Sequence, residues 1–124
     1  MSFGPADRLH RRAEYLRLQK HGARYQTAHF VMYAGSLAEV EPTPGRSRLG
    51  VTVSRRIGKA VVRNRTRRRV RECYRLKLRS MFPVGTALIV IARAGAGALE
   101  SRAIAGELLH AATNLAGRIA RRAG

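Results

Sequence analysis

A dense run of basic residues, interrupted by an apolar residue at every third or fourth position, restricts most strongly how this chain can fold. The run extends from Ser54 to Met81, and Glu72 is its only acidic residue. A block of like charge normally stays solvated and disordered. On a helix, however, the small and apolar side chains would form one stripe, comprising Val62, Thr66, Val70, Cys73 or Tyr74, Leu78 and Met81. The spacing therefore predicts a long amphipathic helix, starting near residue 59 or 60, with one buried side.

The polar residues of this predicted helix divide into an outward face and two flanks. At about 100° per residue, the outward face opposite the stripe holds Asn64, Arg68, Arg71 and Arg75. One flank holds Arg63, Arg67 and Arg71, and the other holds Arg65 and Arg69. The two flanks can therefore contact two different polyanions.

The net charge of +18 on 124 residues indicates a polyanionic partner. Arginine greatly outnumbers lysine, and guanidinium groups suit bidentate phosphate contacts and stacking on bases, which favours nucleic acid over a membrane surface. The longest apolar run, residues 87–92, is too short to cross a bilayer, and the first residues lack the apolar core of a signal peptide. We therefore expect no membrane association and a cytoplasmic location. The single cysteine, Cys73, is consistent with a reducing compartment.

The remaining pattern predicts one α+β domain over residues 1–124, with helices on a small, largely antiparallel sheet. We expect a helix over residues 7–20, with Leu9, Ala13 and Leu16 in line and Leu18 beside them, and a short strand near Tyr25. Two alternating strands, 29–34 and 48–54, flank a Pro- and Gly-rich hairpin loop and should run antiparallel. An apolar central strand, 86–92, and a second amphipathic helix, 101–122, complete the order.

The acidic and histidine residues indicate that the chain is not a self-sufficient nuclease. Metal-dependent nucleases need clustered carboxylates, whereas the acids here are scattered and only Glu39 and Glu41 are close, in the predicted loop. The histidines fall in separate predicted elements, without the spacing of a metal site or an acid–base pair. The sequence therefore predicts a binding protein that has no metal site of its own.

The stretch SRRIGKAVVRNRTRRRVRECYR resembles the signature of the protein subunit of bacterial ribonuclease P. In that family an Arg-Asn-Arg triplet, here Arg63, Asn64 and Arg65, lies on a long helix reached through a Ser-basic-basic-Ile-Gly lead-in. The resemblance covers most of the chain, because residues 9–22 and the strands 30–33, 49–54 and 88–93 occur in the family's order. It implies a ferredoxin-like two-layer α+β sandwich. The strands before and after the basic helix would be parallel and joined by a left-handed crossover, against the usual right-handed rule.

The resemblance also implies partners and activity. The family's subunit binds a catalytic RNA, and the complex is an endoribonuclease that removes the 5′ leader from precursor tRNA. The RNA would perform the hydrolysis with magnesium ions bound mainly through the RNA, so the protein alone should be inactive. No obligate protein partner is implied.

Two sets of residues match the family's binding positions. The catalytic-RNA set is Arg56, Arg63, Asn64, Arg65 and Arg68, and the leader set is Tyr15, Val31, Tyr33, Arg67 and Arg71. The residues themselves support the second set, because Val31 and Tyr33 share a strand face and Arg67 and Arg71 lie one helical turn apart. Tyr15 also suits the rim of a core. A second aromatic residue that often follows in the family's first helix is replaced by Gln19, which favours hydrogen bonding over stacking there.

Two other functions fit the basic helix. A ribosomal-protein-like chaperone of folded RNA would bind complexes of mature and precursor tRNA equally. A DNA-binding protein would place the helix in the major groove, although the apolar stripe must stay packed and nothing in the sequence implies paired half-sites.

Overall fold

The computed structural model of the protein describes residues 12–36 and 48–123. Its elements are α1 (Arg12–His21), β1 (Ala23–Gln26), β2 (Phe30–Ser36), β3 (Arg48–Thr52), α2 (Ala60–Cys73), β4 (Thr86–Ala92) and α3 (Ser101–Ala123). The predicted α+β class is confirmed, as is the short strand around Tyr25. The predicted helix start at Asp7 and the loop acids Glu39 and Glu41 lie outside the described residues.

The sheet has the order β1-β2-β4-β3, with β4 parallel to β3 and antiparallel to β2. The parallel pairing of the strands on either side of α2 is therefore confirmed. The predicted hairpin between residues 29–34 and 48–54 is wrong, because β2 and β3 run in opposite directions but β4 lies between them. The reason is burial: residues 86–90 are buried on both faces, and a strand without a polar face is most stable in the centre of the sheet.

The two faces of the sheet are covered unequally. Helices α2 and α3 cover one face over a core that includes Phe30, Met32, Leu88 and Leu108. On the other face, Leu18 of α1 packs with Ala87 and Ile89.

The predicted apolar line of α1 is wrong in one respect, since Leu16 is 52% exposed and Leu18 only 3%. The last turn of α1 lies close to the sheet. There Gly22 allows contact with β2, because a Cβ at this position would lie 2.9 Å from the Ala34 carbonyl oxygen.

The basic helix changes its pitch after Cys73. A π-helical turn, Tyr74–Leu78, and a 3-10 turn, Arg79–Met81, continue it. A π turn contains an extra residue, so Cys73 and the next residue, Tyr74, are both buried. The same turn places Leu76 on the surface, where 58% of it is exposed. The sequence left the choice between Cys73 and Tyr74 open, and the structure buries both.

A single carboxylate joins α3 to the turn between β1 and β2. Glu107 Oε1 accepts hydrogen bonds from the Thr27 hydroxyl at 2.6 Å and the His29 backbone N–H at 2.8 Å, and Oε2 lies 2.6 Å from His29 Nδ1. Partial burial alone would raise the pKa of Glu107, but these hydrogen bonds and the charge of His29 outweigh it and lower the pKa below its ordinary value of 4.5. The ionised form of Glu107 therefore stabilises the fold.

We expect Glu107→Gln to reduce the free energy of unfolding at pH 7 by about 1 kcal/mol, because the amide keeps one acceptor but loses the charge. A carboxylate with a lowered folded-state pKa contributes stability above its ordinary pKa, and this contribution is lost as the pH falls through the folded-state value. Thermal unfolding between pH 7 and 3 should therefore depend less on pH in the variant than in the wild type. Glu100→Gln, at an exposed position before α3, is the control. Equal pH dependence in Glu107→Gln and the wild type would contradict this assignment.

Candidate nucleic-acid interface

The residues predicted to contact the catalytic RNA lie on the first part of α2 and on the turn that leads into it. Arg56 is exposed in a 3-10 turn, Arg55–Ile57, and Asn64 and Arg68 are exposed on α2. Arg63 is partly exposed, and its Nε is buried without a hydrogen-bond partner among the described residues. A buried donor without a partner is uncommon in native proteins. The structure therefore brings together a cationic surface that includes an unused hydrogen-bond donor.

The flank formed by Arg65 and Arg69 differs from its prediction as a free polyanion surface. Arg65 donates to the Gly97 carbonyl oxygen at 3.0 Å, and Arg69 donates to the Leu99 carbonyl oxygen at 2.6 Å. The backbone can approach α2 closely here because a Cβ on Gly97 would lie 2.6 Å from Val62 Cγ1. Both arginines thus hold residues 97–99 against α2. Arg65 Nε is also buried without a partner in the described part of the chain, so Arg65 combines an anchoring role with its predicted RNA contact.

Val31 and Tyr33 project from the face of the sheet opposite α2 and α3. The strand register aligns Val31 with Gln26, Ile91 and Thr52, and aligns Tyr33 with Arg24 and Ile89. Val31 is only 9% exposed, whereas Tyr33 and Ile91 are partly exposed and Gln26 and Thr52 are exposed. Val31 is therefore part of the buried base of this sheet face, and Tyr33 presents an aromatic ring that is accessible from solvent.

Arg67 is held at the β3 edge of this sheet. Its guanidinium donates to the Val53 carbonyl oxygen at 3.3 Å and to Asn64 Oδ1 at 3.1 Å. Val53 directly follows β3, whose last residue, Thr52, lies on the same sheet face as Val31 and Tyr33. This face is called the open face. Arg71, one turn further along α2, is partly exposed. The structure thus places the Arg67 guanidinium at the β3 edge of the sheet, next to the face that carries Val31 and Tyr33.

The other members of the predicted cleft belong to α1. The backbone of Tyr15 lies in α1, but its side chain is outside the described part of the structure. Gln19 is exposed in the same helix.

Sequence reasoning missed four residues of the open face: Arg24, Gln26, Thr52 and Ile91. The run over 86–92 is apolar throughout, so its alternation gives no sign that Ile91 is partly exposed. A period of two along residues 23–26 was the available signal for Arg24 and Gln26, because these polar residues alternate with Ala23 and Tyr25.

Other chemistry in the described residues is limited. No group of three or more His, Cys, Asp or Glu side chains within them is placed to hold a metal ion. Burial raises the pKa of the Cys73 thiol to about 11, so the thiol is protonated and unreactive at neutral pH. No helix of the described chain has the length and apolar character needed to span a membrane.

Comparison with known proteins gives consistent matches. A family model described as Ribonuclease P matches residues 3–116. The ribonuclease P protein component of Desulfovibrio desulfuricans is 43% identical over 105 residues, which cover 82% of this chain and 77% of the relative. The fold is similar to the RNase P protein of Staphylococcus aureus, with a TM-score of 0.72 and 30% identity over 85% of this chain and 91% of the other. A mutant of that protein, described as having defective mRNA degradation activity, matches with a TM-score of 0.74, 31% identity, and coverage of 86% and 85%.

Proposed function

Because this chain belongs to the Ribonuclease P family, we propose that it holds two RNAs on two separate surfaces of one small domain. It is a protein component of ribonuclease P and so functions in processing the 5′ end of tRNA within an endoribonuclease complex. The first surface consists of Arg56, Arg63, Asn64, Arg65 and Arg68 and contacts the catalytic RNA of that complex. The second, the cleft of Val31, Tyr33, Arg67 and Arg71 together with Tyr15, takes the 5′ leader of precursor tRNA.

The observation that carries the proposal is the position of Arg67. Its contact with the Val53 carbonyl brings one flank of α2 to the β3 edge of the sheet, while Arg68, the next residue, is exposed. A partly exposed tyrosine beside phosphate-binding arginines is an arrangement that holds a single strand without reading its sequence. An exposed arginine on a convex helix suits a folded RNA backbone.

The chemical step is assigned to the RNA partner. The described residues of the protein offer no carboxylate cluster for magnesium, and the proposal therefore places magnesium mainly on the RNA and derives no step through a protein-bound ion. The protein contributes by binding, and its positive charge lowers the repulsion between two RNAs. The proposal also includes a cytoplasmic location, in keeping with a substrate made there.

Reconstituted cleavage of precursor tRNA tests this function directly. The protein with its cognate RNA should process the precursor at a magnesium concentration at which the RNA alone is inactive, because protein cations replace part of the ionic screening. The protein alone should release no leader. A mutant of the Staphylococcus aureus protein is described as defective in mRNA degradation. The experiment therefore includes an unstructured RNA incubated with the protein alone, which tests whether the protein by itself degrades RNA.

The alternatives give different results in the same experiment. A general RNA chaperone would bind complexes with mature and precursor tRNA equally, whereas leader binding requires a preference for the precursor. A DNA-binding protein would be competed from the RNA by duplex DNA. If the protein failed to lower the magnesium requirement of its cognate RNA, the proposed function would be rejected.

A further inference from the structure

An open groove lies between α2 and α3, on the side of α2 that faces away from Arg67. Leu76 stands on the α2 wall, while Ala105 and Leu109 stand on the α3 wall, and Lys77 and Arg102 supply one cation to each wall. The groove has a volume of about 490 Å³, which is within the range of about 300–1,000 Å³ for ligand sites. It contains none of the residues assigned to either surface above.

The cations of this groove differ in whether they are already used within the protein. Arg69, at one end, donates to the Leu99 carbonyl oxygen, and Glu72, the only acid of the groove, is paired with Arg75 at 2.5 Å. Within the described chain, the exposed side chains of Lys77 and Arg102 have no hydrogen-bond or ion-pair partner. Two cations therefore remain available beside an apolar wall whose Leu76 is 58% exposed.

The α3 wall is also unusually open. Gly106 lies within the long helix α3, where glycine is unfavourable relative to alanine. A Cβ at this position would meet nothing within 4 Å, so tight packing against a neighbour does not explain the glycine. Its absent side chain leaves space at the groove that a ligand can occupy.

We propose that the groove between α2 and α3 binds one unpaired nucleotide of the catalytic RNA, with the base between Leu76 and Leu109 and the phosphates at Lys77 and Arg102. This inference rests on the proposed function and adds a third RNA contact to it. Bases turned out of a helix are held between apolar or aromatic side chains and by stacking on guanidinium planes. Arg102 can provide both such a plane and a phosphate contact.

Charge favours RNA over a protein segment as the occupant. The groove carries two cations without acidic partners, and its only acid is already neutralised. It also adjoins the α2 flank on which the buried Arg65 Nε has no hydrogen-bond partner in the described residues. Arg68 lies one helical turn from Glu72, which lines the groove, so a folded RNA bound at the exposed Arg68 can extend one nucleotide into the groove.

The test is equilibrium binding of the full-length protein to its cognate RNA, with no precursor present. Leu76→Ala and Arg102→Ala change exposed side chains and should leave the unfolding temperature unchanged. Each should weaken RNA binding by about tenfold, the effect of one lost apolar or phosphate contact. Only Arg102→Ala should reduce the log–log salt slope, by about 0.7–0.9. Arg121→Ala removes the same charge from an exposed position further along α3 and should change affinity by less than about twofold.

A blocking variant separates groove occupancy from loss of charge. Gly106→Gln adds a neutral side chain where a Cβ meets no neighbour and improves helix propensity. Its unfolding temperature should therefore equal or exceed that of the wild type, while its RNA affinity falls.

A cleavage reagent attached at Ser101→Cys locates the RNA, because the buried Cys73 thiol, with a pKa of about 11, stays unlabelled. It should cut a small set of adjacent nucleotides. The groove assignment is overturned if wild type and all three groove variants bind RNA equally, or if the tethered reagent cuts no discrete site. Failure of the wild-type protein to bind the RNA at all would instead overturn the proposed function.

Discussion

Tyr33→Ala is expected to weaken binding of a precursor with a long 5′ leader by roughly 5- to 150-fold, the equivalent of about 1–3 kcal/mol for one stacked base. Assembly of the protein with the catalytic RNA should be unchanged. The reason is position: Tyr33 lies on the sheet face opposite α2 and α3, and it is the partly exposed aromatic ring among the described residues of the cleft.

The measurement is the affinity of the assembled complex for a series of precursors whose leaders differ in length. Wild type and Tyr33→Ala should bind mature tRNA and very short leaders equally, and diverge once the leader is long enough to reach the sheet. Tyr33→Phe keeps the ring and is the matched control, with affinity near that of the wild type. An equal loss for leaderless tRNA would show that Tyr33 does not contact the leader.

Arg68→Ala and Arg65→Ala should both weaken binding to the catalytic RNA, but only Arg65→Ala should also destabilise the protein. Each loses one phosphate contact, which lowers the log–log salt slope by about 0.7–0.9. Arg68 is exposed on α2, whereas Arg65 donates to the Gly97 carbonyl oxygen. Loss of that hydrogen bond should reduce the free energy of unfolding by about 1 kcal/mol.

Salt-dependent RNA binding and thermal unfolding of the same two variants test this difference. Arg69→Ala is the internal control for anchoring, because it loses the corresponding hydrogen bond to the Leu99 carbonyl oxygen. Arg69→Ala should therefore lose about as much stability as Arg65→Ala. Identical unfolding temperatures for Arg65→Ala and Arg68→Ala would show that the Gly97 contact contributes nothing to stability.

Several features of the fold could be predicted because they depend on local periodicity. The four-residue spacing of Val62, Thr66 and Val70 predicts α2, and the apolar run over 86–92 predicts β4 with the residues that the structure assigns to it. The parallel pairing of β3 and β4 was implied by the family resemblance. The pattern of residues without the resemblance predicts a hairpin between β2 and β3. The apolar run also predicts that β4 is a central strand, which the sheet order confirms, whereas its neighbours on the two sides, β2 and β3, are decided by the complete sheet.

The candidate site also combines features that the sequence predicts with features that only the fold determines. Alternation along β2 places Val31 and Tyr33 on one face, as predicted, but their separation into a buried residue and an accessible ring required the neighbouring strands. Ile91 and Thr52 join the cleft only through strand register. The groove between α2 and α3 had no sequence signal, because its walls are contributed by segments far apart in the chain and Leu76 becomes exposed through a π-helical turn.

The sequence by itself determined that this protein has a long basic helix with one buried side and a polyanionic partner, since charge and helical spacing are local properties. Tertiary structure alone decided which backbone carbonyls the two basic flanks contact. Arg67 meets the Val53 carbonyl, 14 residues away, and Arg65 meets the Gly97 carbonyl, 32 residues away. Helical geometry makes the two flanks equivalent, and they differ because folding brings the end of β3 to one side of α2 and residues 97–99 to the other.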